Sequence, residues 1–412
     1  MTKRGEESSA IAESCWKENS PQSGSAFSMS RYMALLFAVA SGMAVANIYY
    51  AQPLLDAMAS ELEIDHSTIG IIITVTQICY AVGLLLLVPL GDLWNQRKLI
   101  VCQMLLSVLA LVVVSNAPSI KVLLAGIAGV GLLAVVTQTL VAFAATLADP
   151  TERGRVIGTV TSGIVIGILL ARTVAGIITD FSGWRAVYLV SAGITLLLAG
   201  ILYRMLPNVD REKASLSYWQ LLHSVILLFV QERLLRVRGI LAMLIFAAFS
   251  ILWTSLVLPL SAPPFSLSHS EIGAFGLAGV AGALAAAKAG RLADRGLGQR
   301  TTGVALTLLL LSWLPIRYAD YSLWGLIVGV IVLDFAVQAV HVTNQSMILR
   351  KHPDSRSRLT ASYMIFYSVG SAAGSIASTT IYAYAGWNGV CLLGASVSAI
   401  ALLFWAFTRR EI

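Results

Sequence analysis

The chain has 412 residues, of which 57% are hydrophobic and 12% are charged, and its formal net charge is +7. An ordinary soluble domain carries about 25% charged residues, because polar side chains must cover its surface. The composition therefore excludes a water-soluble fold of this size and predicts an all-α membrane protein.

The first 30 residues are polar and lack the apolar core of a cleavable signal peptide. We predict that 1–30 form a disordered cytoplasmic tail, followed by an uncleaved membrane anchor. The chain has four cysteines without metal-ligand spacing, so we expect no metal, no other cofactor and no disulfide framework.

Long apolar runs recur after the tail. A membrane-spanning helix needs about 20 apolar residues, because the hydrocarbon core is about 30 Å thick. A turn at Gly386-Trp387-Asn388-Gly389 divides the longest run. The pattern predicts twelve transmembrane helices, which we number as spans in chain order: 31–58, 67–91, 99–116, 120–147, 156–180, 184–206, 238–260, 270–290, 301–316, 322–349, 358–384 and 388–408.

Basic residues are concentrated on one side of these spans. With the N-terminus inside, 23 of the 28 Lys and Arg residues fall in the tail, the inner loops and the C-terminus. The positive-inside rule then places both termini in the cytoplasm of a multi-pass protein, and we expect the bacterial inner membrane. Because topology accounts for the basic charge, we predict a lipid bilayer and no nucleic acid as partner. Arg172 and Lys288 are exceptions that fall within spans 5 and 8.

The two halves of the chain repeat one another at an offset of 203 residues. Gly183-Trp184-Arg185 matches Gly386-Trp387-Asn388, and Gln96-Arg97 matches Gln299-Arg300. We therefore predict two parallel six-helix pseudo-repeats: an N-terminal half at 31–206 and a C-terminal half at 238–412, joined by a cytoplasmic linker at 207–237.

Two loops carry related motifs. The loop after span 2 reads Gly91-Asp92-Leu93-Trp94-Asn95-Gln96-Arg97-Lys98, and the loop after span 8 reads Gly290-Arg291-Leu292-Ala293-Asp294-Arg295-Gly296-Leu297-Gly298-Gln299-Arg300. Both resemble the G-x-x-x-D-R-x-G-R-R loop of the major facilitator superfamily. The segment 47–53 of span 1 is similar to bacterial efflux-type members near the drug and sugar exporters. The resemblance covers nearly all of the chain after the tail and implies alternating access.

The resemblance also implies gating residues. Asp92 and Asp294 would hold the N-terminus of a neighbouring helix through its partial positive charge, assisted by Arg97 and Arg295. The family's Arg in span 4 falls on Val122, so the family's full charge relay is missing. Four glycines at four-residue spacing in spans 5 and 11 predict close helix contacts, either mobile or static; they are Gly163, Gly167, Gly370 and Gly374.

Charged and polar residues within spans are candidates for substrate binding or coupling. Arg172 needs a buried partner and suits an anionic substrate group, although a structural ion pair or snorkelling would also satisfy it. Asp334, Gln338, His341 and Gln345 follow one another at steps that share a helical face. Asp334 can carry a proton, or it can pair permanently with Arg172; His341 fits a cavity-lining hydrogen bonder better than a proton carrier.

Other polar residues in the spans can line the same cavity or simply join helices. These candidates are Asn47, Tyr50, Gln77, Gln138, Tyr363 and Tyr367. Three tryptophans, in contrast, are expected to anchor the spans at the membrane interfaces; they are Trp94, Trp253 and Trp324.

These features predict a transporter and not an enzyme, since no H-E-x-x-H, G-x-S-x-G or Walker A motif is present. The leading interpretation is a monomeric exporter that exchanges a small organic solute for protons. The alternatives are an importer or facilitator of an anionic metabolite and, less favoured, a non-transporting membrane sensor.

Overall fold

The computed structural model describes residues 30–65, 67–149, 152–207, 218–280, 295–320, 322–351 and 356–409, together with 282, 288, 289 and 292. The predicted tail, apart from residue 30, and part of predicted span 8 lie outside these residues. The described chain is α-helical apart from 3₁₀ turns and connecting segments, and eight of its helices are long and apolar enough to cross a membrane.

The N-terminal half contains all six predicted spans. Span 1 is slightly interrupted at Tyr50, and span 4 is interrupted near Ala134. In chain order the helices of spans 1 to 6 are Arg31–Tyr49 with Ala51–Leu62, Ile71–Leu86, Gln96–Ser115, Ile120–Leu133 with Val136–Leu147, Arg153–Ser182 and Trp184–Met205; a short helix, Leu90–Leu93, precedes span 3.

The C-terminal half follows the same order. Its helices are Arg233–Ser255 with Val257–Ser261 in span 7, His269–Ala274 with the 3₁₀ turn Phe275–Ala278 at the start of span 8, Gly298–Arg317 in span 9, Leu323–Lys351 in span 10, and Arg356–Thr408, which holds spans 11 and 12. A 3₁₀ turn at Tyr318–Asp320 joins spans 9 and 10. We call the end of the bundle that holds Arg31 the inner end and the opposite end the outer end.

The turn between the last two spans of each half uses a glycine at the same repeat position. Gly183 has φ 77° and Gly386 has φ 59°, values that L side chains rarely adopt. Each glycine therefore permits a reversal between two helices that follow one another almost without a loop. The equivalent backbone conformations support the internal repeat that the sequence predicts.

Two boundaries differ from the predicted ones. The predicted linker contains a helix, Tyr218–Gln231, and the Tyr218 hydroxyl donates a 2.9 Å hydrogen bond to the carbonyl oxygen of Leu86 in span 2. Span 7 begins at Arg233, five residues before its predicted start at 238. Arginines interrupt the hydropathy of this segment, which is why the sequence pattern places the helix start too late.

Gly163 and Gly167 of span 5 and Gly370 and Gly374 of span 11 lie at close helix contacts within their halves. A Cβ at Gly163 or Gly167 would meet the backbone of Ala38 or Gly42 in span 1. A Cβ at Gly370 or Gly374 would meet the backbone of Met243 or Ala247 in span 7. Spans 1 and 5 therefore pack as spans 7 and 11 do, with backbone against backbone.

Replacing Gly167 by Ala should lower the free energy of unfolding by about 1–3 kcal/mol, because the added methyl group has no free space against span 1. Gly158→Ala in the same helix is the matched control, since nothing lies within 4 Å of its Cβ position. Thermal unfolding in detergent micelles would measure both variants. Equal melting temperatures for the two would contradict the close contact.

The two halves are joined between the middle and the outer end. Hydrogen bonds between described residues of spans 2 and 11 run from Thr74 Oγ1 to the Ala372 carbonyl oxygen at 3.0 Å and from Ser375 Oγ to the Gly70 carbonyl oxygen at 3.0 Å. Thr379 Oγ1 also donates to the carbonyl oxygen of Ser67 at 3.3 Å. These contacts close the outer end on the side of spans 2 and 11.

A second outer contact joins span 5 to the start of span 8. The Asp180 carboxylate accepts hydrogen bonds from the backbone N–H groups of His269 at 3.1 Å and Ser270 at 2.8 Å, and from Ser270 Oγ at 2.5 Å. The His269 ring nitrogen Nδ1 lies 3.1 Å from the same carboxylate. We call this group of contacts the outer latch.

Candidate functional site

Arg172 stands at the junction of the two halves, near the middle of the bundle. Its side chain is buried, and its Nε donates a 2.8 Å hydrogen bond to Gln52 Oε1 in span 1. The guanidinium carbon lies 3.7 Å from the ring centroid of Trp253 in span 7 and 5.2 Å from that of Tyr49. The cation is therefore stabilised by aromatic faces from both halves.

Asp334 completes this arrangement from span 10. Its carboxylate is buried and accepts a 3.0 Å hydrogen bond from Trp253 Nε1. Arg172 and Asp334 form no direct salt bridge, because the Trp253 indole contacts both of them. The guanidinium lies over the face of the Trp253 indole and the carboxylate lies at its N–H edge, and we call Arg172, Trp253 and Asp334 the central triad.

The burial of Trp253 shows that one prediction was wrong. The sequence placed it at a membrane interface as an anchor, but only 3% of its surface is exposed. The other two predicted anchors, Trp94 and Trp324, are 60% and 77% exposed. An apolar run gives no signal that separates a buried indole from an interfacial one, since the partner that buries Trp253 comes from the other half.

A second junction between the halves consists of tyrosines. Tyr49 Oη and Tyr367 Oη lie 2.6 Å apart, and the side chain of Gln77 is buried beside Tyr367. Phe246 packs against the Tyr367 ring with centroids 4.1 Å apart. Two of the predicted cavity residues, Gln77 and Tyr367, therefore lie at the interface next to the central triad, together with Tyr49 of span 1, which the sequence did not single out.

The remaining polar face of span 10 lies towards the inner end. His341 Nδ1 is 3.2 Å from Tyr363 Oη. Gln338, His341 and Gln345 are partly exposed, as is Gln138, whose Nε2 lies 3.4 Å from Tyr80 Oη. The described structure thus has accessible polar groups on the inner side of the central triad.

Asn47 and Tyr50 lie elsewhere. Asn47 Oδ1 accepts a 2.6 Å hydrogen bond from Ser191 Oγ of span 6, and both side chains are buried. The Tyr50 hydroxyl lies 3.8 Å from Met43 Sδ, and its ring packs edge-on against Tyr188. Both residues therefore join helices within the N-terminal half and do not reach the interface between the halves.

The predicted gate is only partly described. Asp294 and the side chain of Asp92 lie outside the described part of the structure. Arg97 donates to the carbonyl oxygen of Tyr203 and lies over the Tyr203 ring at 4.9 Å, which ties spans 3 and 6 at the inner end. Arg295 is exposed in a turn. The role of these residues in gating stays a prediction.

Sequence reasoning missed Arg238, because the predicted start of span 7 coincides with it. Only 1% of its surface is exposed, and Nη1 donates to Thr302 Oγ1 and to Asn344 Oδ1, each at 3.2 Å. Asn344 Nδ2 donates back to the Arg238 carbonyl oxygen at 3.3 Å. This buried guanidinium links spans 7, 9 and 10. It lies closer to the inner end than His341 does.

A family model described as the Major Facilitator Superfamily matches residues 35–295 and 238–412 of the chain. The chain belongs to the Major Facilitator Superfamily. The twelve-helix fold and the family resemblance predicted from the sequence are thereby confirmed.

Individual relatives agree with this membership. The putative uncharacterised transporter YgaY of Escherichia coli (strain K12) is 48% identical over 385 residues, which cover 93% of this chain and 98% of that protein. A probable sugar efflux transporter of Helicobacter pylori is 21% identical, with 85% and 88% of the two chains covered. A solved bacterial homologue of the human lysosomal transporter Spinster, inward-facing and unoccupied, shares the fold with a TM-score of 0.73 at 13% identity, covering 92% of this chain and 96% of that chain.

Within this superfamily fold, the central triad is suited to binding and to carrying charge. In the described part of the chain, no group of three His, Cys, Asp or Glu side chains is arranged to hold a metal ion. The chemistry that the site offers is instead one buried guanidinium, one buried carboxyl group, and hydroxyl and amide groups at the interface between the halves. Such groups can bind a solute and exchange a proton.

Proposed function

We propose that this membrane transporter exports a small organic solute across the bacterial inner membrane in exchange for protons, by alternating access. The observation that carries the proposal is the central triad, in which Trp253 links Arg172 of one half to Asp334 of the other. A charge change within this triad acts directly on the interface that must open and close during transport.

Asp334 is the group that we assign to proton exchange. When ionised, Asp334 compensates the buried charge of Arg172 and accepts a hydrogen bond from the Trp253 N–H. When protonated, it leaves Arg172 without a nearby negative charge, so the contact between the halves weakens. A solute that displaces the proton from Asp334 would then be carried in the opposite direction to the proton.

Two observations support export. The partly exposed polar groups Gln138, Gln338, His341 and Gln345 lie on the inner side of the triad, while the hydrogen bonds of spans 2 and 11 and of the outer latch lie on its outer side. With both termini in the cytoplasm, this form receives solute from the cytoplasm. The Helicobacter pylori relative described as a probable sugar efflux transporter also supports export as the direction of transport.

One observation favours a second candidate. The Nη2 atom of Arg172 is buried and has no hydrogen-bond partner. A guanidinium with an unused donor suits a carboxylate, and the cost of leaving that donor unpaired would be relieved by an anionic substrate. An importer or facilitator of an organic anion is therefore the alternative to be tested.

Proton movement in proteoliposomes distinguishes the two functions. The purified protein would be challenged with cationic drugs, sugars and organic anions under an imposed pH gradient. We expect at least one solute to dissipate the gradient with wild type and not with Asp334→Asn. Asp56→Asn, a change of the same chemistry at the outer end of span 1, should behave as wild type.

Two other results would each replace proton exchange by a different function. If an organic anion moves without protons and Asp334→Asn leaves its rate unchanged, proton exchange is wrong and the anion facilitator replaces it. If no solute moves in wild type although a melting-temperature shift reports its binding, the sensor interpretation replaces both.

A further inference from the structure

A groove at the inner end of the C-terminal half lies apart from the central triad. Its volume is about 420 Å³, and it lies between the end of span 8 and the adjoining parts of spans 9 and 10. Its walls are mainly apolar, with Leu292, Val304, Leu308 and Phe335 among the lining side chains. A groove of this size and composition accommodates part of an acyl chain and is poorly suited to a polar solute.

The groove opens towards the bilayer. Val304, Leu311 and Leu314 of span 9 are 63%, 49% and 60% exposed. Their spacing of seven and three residues places them on one face of the helix. An exposed apolar face of a membrane-spanning helix contacts lipid, so the wall that Val304 forms is the lipid-facing side of the groove.

Two cationic side chains line the same groove. Lys288 and Arg300 line it, and both residues are exposed. Neither forms a salt bridge with a carboxylate in the described part of the chain. Cations at the edge of the hydrocarbon are costly unless an anion or the interface satisfies them. The groove thus presents two positive charges, with no carboxylate among the described residues in contact with them, beside an apolar surface that faces lipid.

We propose that this groove is a binding site for an anionic phospholipid of the cytoplasmic leaflet. The headgroup phosphate binds between the Lys288 ammonium and the Arg300 guanidinium, whose donor geometry matches phosphate oxygens. One acyl chain lies along the apolar wall towards Leu308. Basic pockets between spans on the cytoplasmic side are suited to anionic headgroups, because that leaflet carries the negative surface charge. The site requires the inner end to face the cytoplasm but does not depend on the transported solute.

Native mass spectrometry of the full chain in detergent tests the proposal, with phosphatidylglycerol and phosphatidylethanolamine added as probes. We expect one phosphatidylglycerol to bind wild type more tightly than phosphatidylethanolamine does. The double variant Lys288→Gln/Arg300→Gln should weaken phosphatidylglycerol binding by about thirtyfold, the effect expected for two cations near an anionic surface. The matched control Lys98→Gln/Arg204→Gln removes two exposed inner-end cations from the N-terminal half and should leave this binding unchanged.

A second variant tests the acyl part of the site. Val304→Trp changes an exposed residue and fills the groove, so it should weaken the binding of both lipids while the protein remains folded. Equal phosphatidylglycerol binding by wild type and the double variant would overturn the proposal. Displacement of bound phosphatidylglycerol by inorganic phosphate alone would also overturn it, because the groove would then be a simple anion site.

Discussion

Arg172→Gln should reduce the rate of transport roughly a hundredfold while leaving a folded, membrane-inserted protein. The change removes a charged hydrogen-bond donor from Gln52 and the cation that lies 3.7 Å from the Trp253 ring centroid. Together these losses amount to about 3 kcal/mol, or roughly a hundredfold in rate if the contact forms during the transport cycle. Proton or solute flux in proteoliposomes, compared with the melting temperature in detergent, would measure the effect.

Arg172→Lys and Arg317→Gln make this test specific. The lysine variant keeps the charge but loses the planar fork that hydrogen-bonds to Gln52 and stacks on Trp253, so it should recover part of the activity. Arg317 is an exposed arginine whose Nε lies 3.2 Å from Asn388 Oδ1 near the outer end, and its replacement should have little effect. Wild-type transport by Arg172→Gln would show that the central triad is only a structural contact.

The sequence was most informative about features that repeat. The spacing of apolar runs predicts the spans, and the 203-residue offset aligns Gly183 with Gly386, both of which adopt positive φ angles. The offset also aligns Gly167 with Gly370, and each lies against the first span of its own half. These features are local or repeated along the chain, so hydropathy and residue type are sufficient to reveal them.

The central triad could be predicted only in part. Arg172 and Asp334 are visible in the sequence because a charge in an apolar run requires a partner. Their link through Trp253 is not visible, since it depends on how two halves of the chain face one another across the bundle. The sequence likewise could not separate Tyr367, which contacts Tyr49 of the other half, from Asn47, which bonds within its own half.

Arg238 and Lys288 show a different limit of prediction from the sequence. Both lie where charged residues interrupt the apolar pattern at the inner end, and both therefore blur the predicted helix boundaries. The structure separates them: Arg238 is buried among Thr302 and Asn344, whereas Lys288 is exposed beside an apolar groove. The same sequence signal thus arises from a buried interhelical contact in one case and from a lipid-facing surface in the other.

Asp180→Asn should shift the transporter towards a form that is open at its outer end. The Asp180 carboxylate receives three hydrogen bonds from His269 and Ser270, and these join span 5 of one half to the start of span 8 of the other. An asparagine has one acceptor oxygen and no charge, so it cannot maintain all of these contacts. Because the carboxylate is about a quarter exposed, solvent reduces the loss to about 1.4 kcal/mol, or tenfold in the equilibrium between the two forms.

The rate of thiol labelling from outside would report this shift. Thr379 is fully buried between spans 2 and 11, so a Thr379→Cys variant in a background without the native cysteines should react with a maleimide only when the outer end opens. We expect Asp180→Asn to raise its labelling rate by about tenfold, whereas Asp56→Asn, another outer-end acid outside the latch, should leave it unchanged. If both variants label at the wild-type rate, the contacts of spans 2 and 11 alone hold the outer end closed. A tenfold increase confined to Asp180→Asn would mean that the two outer contacts act together, so that breaking the latch of spans 5 and 8 also separates spans 2 and 11.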